Sequence, residues 1–166
     1  MKTYTLLPIL FCTFLFCNAQ DNFDTSRQFN IVHLPKYYKE RGIVFNKAYK
    51  IAIDIKNIQC RYSPTENDIK MAEEIFMKKY NMIQKDSINV FSYFSSWVRQ
   101  YVGVIDKNNT KNIIVQLINN KNRNKTNRLL GAGWEDDFVI MLADSFYSIS
   151  KRFKINIDTG EIYTEL

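Results

Sequence analysis

Histidine and cysteine are scarce in this chain, and their scarcity limits the chemistry that it can perform. The one histidine is His33, and the three cysteines are Cys12, Cys17 and Cys60. Nucleophilic catalysis of the Ser–His or Cys–His kind needs an imidazole to accept the proton, and a zinc site needs several histidine or cysteine ligands. Because His33 is also far in sequence from Cys60, we predict no catalytic residue, no metal and no cofactor.

Glycine is rare, and acidic residues cluster in one place. The segment 131–133 reads Gly-Ala-Gly but lacks a following Lys-Ser or Lys-Thr, so it is a turn and not a phosphate loop. Glu135, Asp136 and Asp137 come next. We expect them to form a solvated turn, because adjacent side chains in an extended chain point to opposite faces and make a poor Ca²⁺ cage. A carboxylate-dependent hydrolase with Asp136 or Asp137 as general base is the alternative, and it would need a cleft with two facing acids.

The N-terminus has the features of an export signal in the usual order. Lys2 is followed by an apolar stretch over residues 4–16, and Ala19 is a small residue suited to cleavage by signal peptidase. The stretch is shorter than the roughly 18 apolar residues that a membrane span needs. We predict a signal peptide over 1–19, export to the periplasm or the extracellular space, and no stable membrane insertion after cleavage. Cleavage after Gln20 is the near alternative.

The mature chain has the size of one domain and a modest positive charge. Cleavage leaves about 147 residues, enough for a single core. It removes one of the 23 basic residues and none of the 17 acidic ones, which leaves a net charge of +5. The basic residues are spread along the chain apart from Lys121, Arg123, Lys125 and Arg128. We expect these four to lie in a solvated loop, and we predict no nucleic-acid binding.

The first part of the mature chain is predicted to be irregular. Residues 20–46 show no sustained period, so we expect an irregular arm ahead of a single domain over 47–166. The alternation from Tyr49 to Ile55 predicts a strand, and the change of parity afterwards predicts a bulge or turn at Asn57.

The sequence after Tyr62 predicts the main helix. Ser63, with Pro64 next and Glu66 three residues on, fits a capping box; Thr65 with Asp68 is a weaker alternative. The following apolar residues recur at helical spacing, which predicts a buried stripe. The stripe consists of Ile69, Ala72, Ile75, Phe76, Tyr80 and Ile83. We expect the charged residues between them to face mostly water: Lys70, Glu73, Glu74, Lys78 and Lys79.

Alternating patterns and turn residues predict an antiparallel sheet in the second half of the chain. A hairpin joins strands at 101–105 and 112–118 through the turn residues 106–110. Further strands are predicted at 138–142, 146–157 and 162–164, with a tight turn at 158–160. The fold class is therefore α+β, with one main helix packed on an antiparallel sheet of about four strands.

The order of these elements resembles the PepSY-like and cystatin-like small folds. The final strand with its Asp-x-Gly turn, Phe153 to Ile162, resembles the end of a PepSY repeat. Other residues resemble uncharacterised exported proteins of Gram-negative bacteria: Ser63, Pro64, Thr65, Asp68, Ile69, Ala72, Glu73, Arg99, Gln100, Tyr101, Gly103 and Trp134. The resemblance implies a fold and a compartment and brings no catalytic residues. Protease inhibition is not carried over, because the chain has no Gln-x-Val-x-Gly loop.

A partner surface is the remaining candidate site. Aromatic residues near the predicted strand ends, together with arginines, could form an exposed patch. Its members would be Trp97, Arg99, Tyr101, Arg128 and Trp134. The alternative is that the tryptophans belong to the core. We predict an exported, non-enzymatic interaction module that binds a protein, peptide or glycan; the alternatives are the hydrolase and an inhibitor or folding partner of another exported protein.

Overall fold

The computed structural model describes residues 23–35, 37–51, 57–83, 94–140, 146 and 148–165. The signal peptide predicted over 1–19 and most of the strand predicted over 49–55 lie outside them. Within the described part, residues 49–51 are not in a strand. No helix among these residues is long and apolar enough to cross a membrane.

The fold is α+β, as predicted, but its sheet is larger than predicted. Seven strands form one mostly antiparallel sheet, where the sequence predicts about four. The strands are β1 (Phe29–His33), β2 (Arg41–Phe45), β3 (Ile58–Tyr62), β4 (Trp97–Asp106), β5 (Lys111–Asn119), β6 (Ser150–Asn156) and β7 (Ile162–Glu165). Among the described residues, the two helices that can be given bounds are α1 (Glu66–Ile83) and α2 (Arg123–Leu130), and single 3-10 turns lie at Tyr38–Glu40 and Trp134–Asp136.

The long strand β4 organises the sheet. The strand order is β1-β2-β4-β5-β6-β7, and β2 pairs with β4 in parallel whereas every other pair is antiparallel. On one edge of β4, β2 pairs with residues 99–102 and β3 with residues 103–106. Two short strands thus lie end to end along a single long one. The guanidinium of Arg61 joins them by donating to the carbonyls of Phe45, Asn46 and Tyr49.

The prediction of an irregular arm over 20–46 is wrong from Phe29 onward. Residues 29–33 and 41–45 are strands β1 and β2, so the arm is part of the domain. The sequence shows no period at β2 because this strand is covered on both faces. Val44 packs in the core beneath α1, whereas Ile43 and Phe45 pack on the opposite face. A strand buried on both sides does not alternate between apolar and polar residues.

The predicted main helix is confirmed. Its cap is the pair Thr65 and Asp68, which the sequence favoured less than Ser63 and Glu66. The backbone N–H of Asp68 donates to Thr65 Oγ1 at 3.1 Å, and the backbone N–H of Thr65 donates to Asp68 Oδ2 at 2.9 Å. This reciprocal pair is the capping box. Ser63 instead accepts a hydrogen bond from the backbone N–H of Lys47.

The face of α1 that meets the sheet carries the predicted stripe. Ile69, Ala72, Phe76 and Tyr80 are buried there against Phe153 and its neighbours. Among the residues expected to face water, Glu73 is the exception, because it is 6 % exposed.

The opposite face of the sheet is covered by the segment 131–140, which we name the strap. The described part of the strand predicted at 138–142 is not a strand and belongs to this irregular strap, whose hydrogen bonds here are made with side chains. Gln100 Nε2 donates to the carbonyl of Asp137 at 2.7 Å, and Gln116 Nε2 donates to that of Val139 at 2.8 Å. The side chains of Trp134 and Phe138, which belong to the strap, are buried.

The two predicted turns are confirmed. Residues 106–110 join β4 to β5, and Asn109 there has a φ of 61°. The turn at 158–160 joins β6 to β7, and Gly160 has a φ of 72°, a left-handed conformation that glycine adopts without strain. The strand predicted over 146–157 is shorter, because β6 begins only at Ser150.

Candidate functional site

The aromatic members of the predicted surface are buried, so the exposed patch expected from the sequence does not form. Trp97 is 5 % and Trp134 is 4 % exposed. Trp97 packs on the α1 side of the sheet, with its ring centroid 5.2 Å from that of Phe94. Trp134 packs on the strap side and donates from Nε1 to Asn127 Oδ1 at 3.0 Å. The two tryptophans are therefore core residues of different faces of the sheet.

Arg99 and Tyr101 are buried too, in a polar cluster around Glu73. Both residues are 0 % exposed. Glu73 Oε1 accepts from Arg99 Nε at 3.2 Å and from the Tyr101 hydroxyl at 2.6 Å. The Arg99 guanidinium also lies over the Tyr37 ring, 3.3 Å from its centroid. Burial, with the nearby Glu73 carboxylate as the next cause, raises the pKa values of both tyrosines.

This cluster connects α1, β4 and the segment after β1. Arg99 also donates to the carbonyls of Phe94 and Trp97. Helical spacing could have revealed Glu73, because it lies four residues after Ile69 and three before Phe76, within the buried stripe. The cluster orients the helix on the sheet.

Of the predicted surface, Arg128 is the exposed member, and it belongs to a group of cations on α2. The residues 121–128 expected to form a loop are partly helical, since α2 begins at Arg123. The side chain of Asn122 caps the helix by accepting from the backbone N–H of Lys125 at 3.1 Å. We name the exposed cations here the basic surface: Lys121, Arg123, Lys125 and Arg128.

The basic surface lies beside an open hollow of about 660 Å³ at one end of the sheet. Ser148 and Ile149 form part of its wall, and residues from the turn before α2 and from the first turn of α2 form the rest. No Asp or Glu occurs in the sequence between Lys107 and Trp134. Positive charge is therefore concentrated at this end.

The arginines outside α2 are all engaged. Arg27 pairs with Asp24 and Arg41 with Glu135. Arg61 and Arg99 are held by carbonyls and by Glu73, as described above, and Arg152 donates to Gln116 Oε1 at 3.0 Å. Among the described residues, the arginines of the basic surface have no carboxylate partner.

The acidic residues of the strap hold it to the rest of the domain. Glu135 Oε2 lies 2.8 Å from Lys39 Nζ, and Asp137 Oδ1 accepts from the Tyr49 hydroxyl at 3.0 Å. Asp136 and Asp137 are both exposed, and Asp136 lies 3.8 Å from Arg41. None of these acids lines the hollow beside α2. Asp136 and Asp137 are thus solvated, as predicted for the cluster, whereas Glu135 is half-buried.

The histidine and the cysteine of the domain lie on different strands, His33 on β1 and Cys60 on β3. His33 is exposed at the end of β1. Cys60 is a free, exposed cysteine of β3, and the pairing of β3 with β4 shifts register between Ile58 and Cys60. The described residues contain no group of three or more His, Cys, Asp or Glu that could hold a metal ion.

Comparisons with known proteins found no match. No family model, no curated protein and no solved structure is similar to this chain. The resemblance to PepSY-like and cystatin-like exported proteins therefore stays a prediction.

Proposed function

We propose that this chain is an exported, non-enzymatic binding module that holds an acidic polysaccharide on the basic surface of α2. The observation that carries the proposal is the contrast among the arginines. Those elsewhere in the described chain are engaged by carboxylates, carbonyls or an amide, whereas Arg123 and Arg128 are exposed without such a partner. Unpaired cations on a concave surface attract anionic ligands.

The composition around α2 favours a polysaccharide over a protein. Protein interfaces are centred on buried aromatic or apolar anchors. The large exposed hydrophobic residues of the described chain are Ile31, Met71, Ile140 and Tyr163, and none belongs to α2 or to the turn before it. Asparagines alternate with the cations over 119–127 instead. Amides can hydrogen-bond to hydroxyl groups while cations neutralise carboxylates.

The other functions predicted from the sequence have less support. A hydrolase that uses Asp136 or Asp137 would need these acids in a cleft, and both are instead part of the contacts that hold the strap. An inhibitor or folding partner would bind without chemistry, as the proposed module does. The charge of α2 then favours an acidic segment as the alternative ligand.

The test compares two variants of equal charge. The first replaces the basic surface by glutamine: Lys121→Gln, Arg123→Gln, Lys125→Gln and Arg128→Gln. The control replaces four exposed lysines elsewhere: Lys47→Gln, Lys50→Gln, Lys78→Gln and Lys79→Gln. Glutamine keeps helix propensity close to that of lysine and arginine, and the Asn122 cap is unchanged in both.

Binding is measured by calorimetry against polygalacturonate, neutral dextran and polyglutamate at several salt concentrations. We expect the native protein to bind polygalacturonate with a salt-dependent affinity. The first variant should bind about tenfold more weakly, because each of the four lost ion pairs contributes a few tenths of a kcal/mol. The control variant should bind like the native protein. Equal losses in the two variants would show a dependence on net charge alone and contradict the proposal. Preference for polyglutamate would favour an acidic protein partner.

A further inference from the structure

A second cavity lies at the end of the sheet opposite to α2, on the strap side. It is a groove of about 550 Å³ between the β4–β5 hairpin and the β6–β7 turn. The strap covers this face as far as Ile114, which packs with Phe138. The next residue of β5 on the same face is Asn112, which pairs across the sheet with Asn156. The groove begins where the cover ends.

The floor of the groove contains a buried polar atom without a partner. Asn112 lines the groove and is 0 % exposed. Its Nδ2 donates to the carbonyl of Thr110 at 2.9 Å, but its Oδ1 has no hydrogen-bond partner among the described residues. A buried acceptor that lacks a hydrogen bond costs free energy, so such atoms are rare unless a ligand or water completes them. A hydroxyl group could donate to this oxygen.

The neighbouring carboxylate of Asp106 already accepts several hydrogen bonds from the protein, so it shapes the groove and is not a ligand-binding group. Asp106 accepts hydrogen bonds from the backbone N–H groups of Asn108 and Thr110, from Thr110 Oγ1 and from Asn112 Nδ2. The bond from the Thr110 backbone is the largest cause that lowers the pKa of Asp106. These hydrogen bonds stabilise the hairpin that forms one wall.

The other wall presents an anchored aromatic ring. Tyr163 is 48 % exposed and donates from its hydroxyl to Glu161 Oε2 at 2.6 Å. Its cross-strand neighbour Lys154 places Nζ 5.9 Å from the ring centroid. An oriented aromatic ring beside amide groups offers apolar contact and hydrogen bonds to one ligand.

The charges in the groove are balanced. The lining includes the acids Asp106 and Glu161 and the lysines Lys107 and Lys154. A strongly charged ligand would meet repulsion from one pair as well as attraction from the other. A neutral ligand with several hydroxyl groups fits this lining better.

We infer that the groove binds a neutral sugar residue, whose ring packs on Tyr163 and one of whose hydroxyl groups donates to Asn112 Oδ1. Asn156 lines the groove beside it, where its Nδ2 donates to Thr110 Oγ1 and its Oδ1 accepts from the backbone N–H groups of Asp158 and Thr159. This site is independent of the basic surface, because it lies at the other end of β5 and uses none of the same residues. Binding of neutral sugar here can fail while acidic polysaccharide still binds to α2, and the reverse also holds.

The test titrates the ¹⁵N-labelled protein with cellotriose, maltotriose, xylotriose and chitotriose and follows amide signals by NMR. We expect at least one trisaccharide at millimolar concentration to shift the side-chain amide signals of Asn112 and Asn156 in a saturable way. Tyr163→Ala should abolish these shifts, whereas Tyr163→Phe should retain them, because it keeps the ring. The control Ile31→Ala removes an equally exposed apolar side chain from β1 and should leave the shifts unchanged.

Two results would overturn the inference. One is the absence of saturable shifts with all four trisaccharides in the folded native protein. The other is binding that persists unchanged in Tyr163→Ala. The dispersion of the remaining amide signals shows in the same spectra whether each variant is folded.

Discussion

Glu73 of α1 and Arg99 of β4 form a buried ion pair, with Oε1 and Nε 3.2 Å apart and side-chain exposures of 8 % and 0 %. The pair is satisfied only in part. Glu73 Oε2 and Arg99 Nη2 have no hydrogen-bond partner among the described residues. A buried ion pair of this kind adds little net stability, because the cost of desolvating the two charges offsets much of their attraction. Its main effect is to fix the position of the helix on the sheet.

Removing both members of this pair should cost less than the sum of the costs of removing each one alone. We expect Glu73→Leu or Arg99→Met alone to lower the free energy of unfolding by about 3–5 kcal/mol, because each leaves a buried charge without its partner. The double variant should lose about 1–3 kcal/mol less than the sum of the two. Denaturant unfolding of the four proteins measures this coupling. Additive losses would show that the two charges are independent, and Glu74→Gln, on the exposed face of α1, is the control with a change below about 0.5 kcal/mol.

The Tyr62 hydroxyl should make stability fall at alkaline pH. Burial is the largest cause that raises its pKa in the folded chain above the ordinary value of 10.0. The unfolded chain therefore releases this proton first, so the contribution to stability is complete below pH 10.0 and is lost as the pH rises above it. The loss is at most about 1.4 kcal/mol per pH unit.

Tyr62→Phe tests this pH dependence cleanly, because the buried Tyr62 hydroxyl has no hydrogen-bond partner among the described residues. We expect little change in the free energy of unfolding at neutral pH and a shallower decrease above about pH 10. Tyr101→Phe should also flatten the decrease, but it should cost stability at neutral pH because it removes the bond to Glu73. Urea unfolding across this pH range measures both. An unchanged alkaline slope in Tyr62→Phe would contradict the expectation.

The two candidate caps of α1 should differ in energy. Thr65→Ala removes the acceptor for the Asp68 backbone N–H and should lower the free energy of unfolding by about 1 kcal/mol. Ser63→Ala removes only the acceptor for the Lys47 backbone N–H, in an exposed hydrogen bond, and should cost less. Thermal and urea unfolding of both variants rank the two effects, and a larger loss for Ser63→Ala would contradict the capping box seen in the structure.

The elements that could be predicted are those whose signals are local. A capping residue, a turn residue that accepts positive φ and an apolar period act within a few residues of chain. Helix α1, the β4–β5 hairpin and the turn before β7 are of this kind. The strand β2 could not be predicted, because its burial on both faces comes from neighbours distant in sequence.

The residues of the candidate sites could be predicted less well than the fold, because their exposure depends on the tertiary structure. The aromatic residues near the strand ends could be surface or core on sequence alone, and packing on the two faces of the sheet buried Trp97 and Trp134. The exposed arginine of that group, Arg128, joins the basic surface. The groove at Asn112 draws on residues from β4, β5, β6 and β7, which no spacing along the chain brings together.

The sequence by itself determined the α+β class, the position of the main helix, the tight turns and the concentration of positive charge before Trp134, because each depends on short-range patterns or on composition. Only the tertiary structure decided which charges are satisfied. Glu73 and Arg99 are 26 positions apart and neutralise each other because α1 packs on the sheet, whereas Arg123 and Arg128 are left exposed at the end of the sheet. The partner of a charged side chain is set by how the elements pack, and packing joins residues that the order of the chain keeps apart.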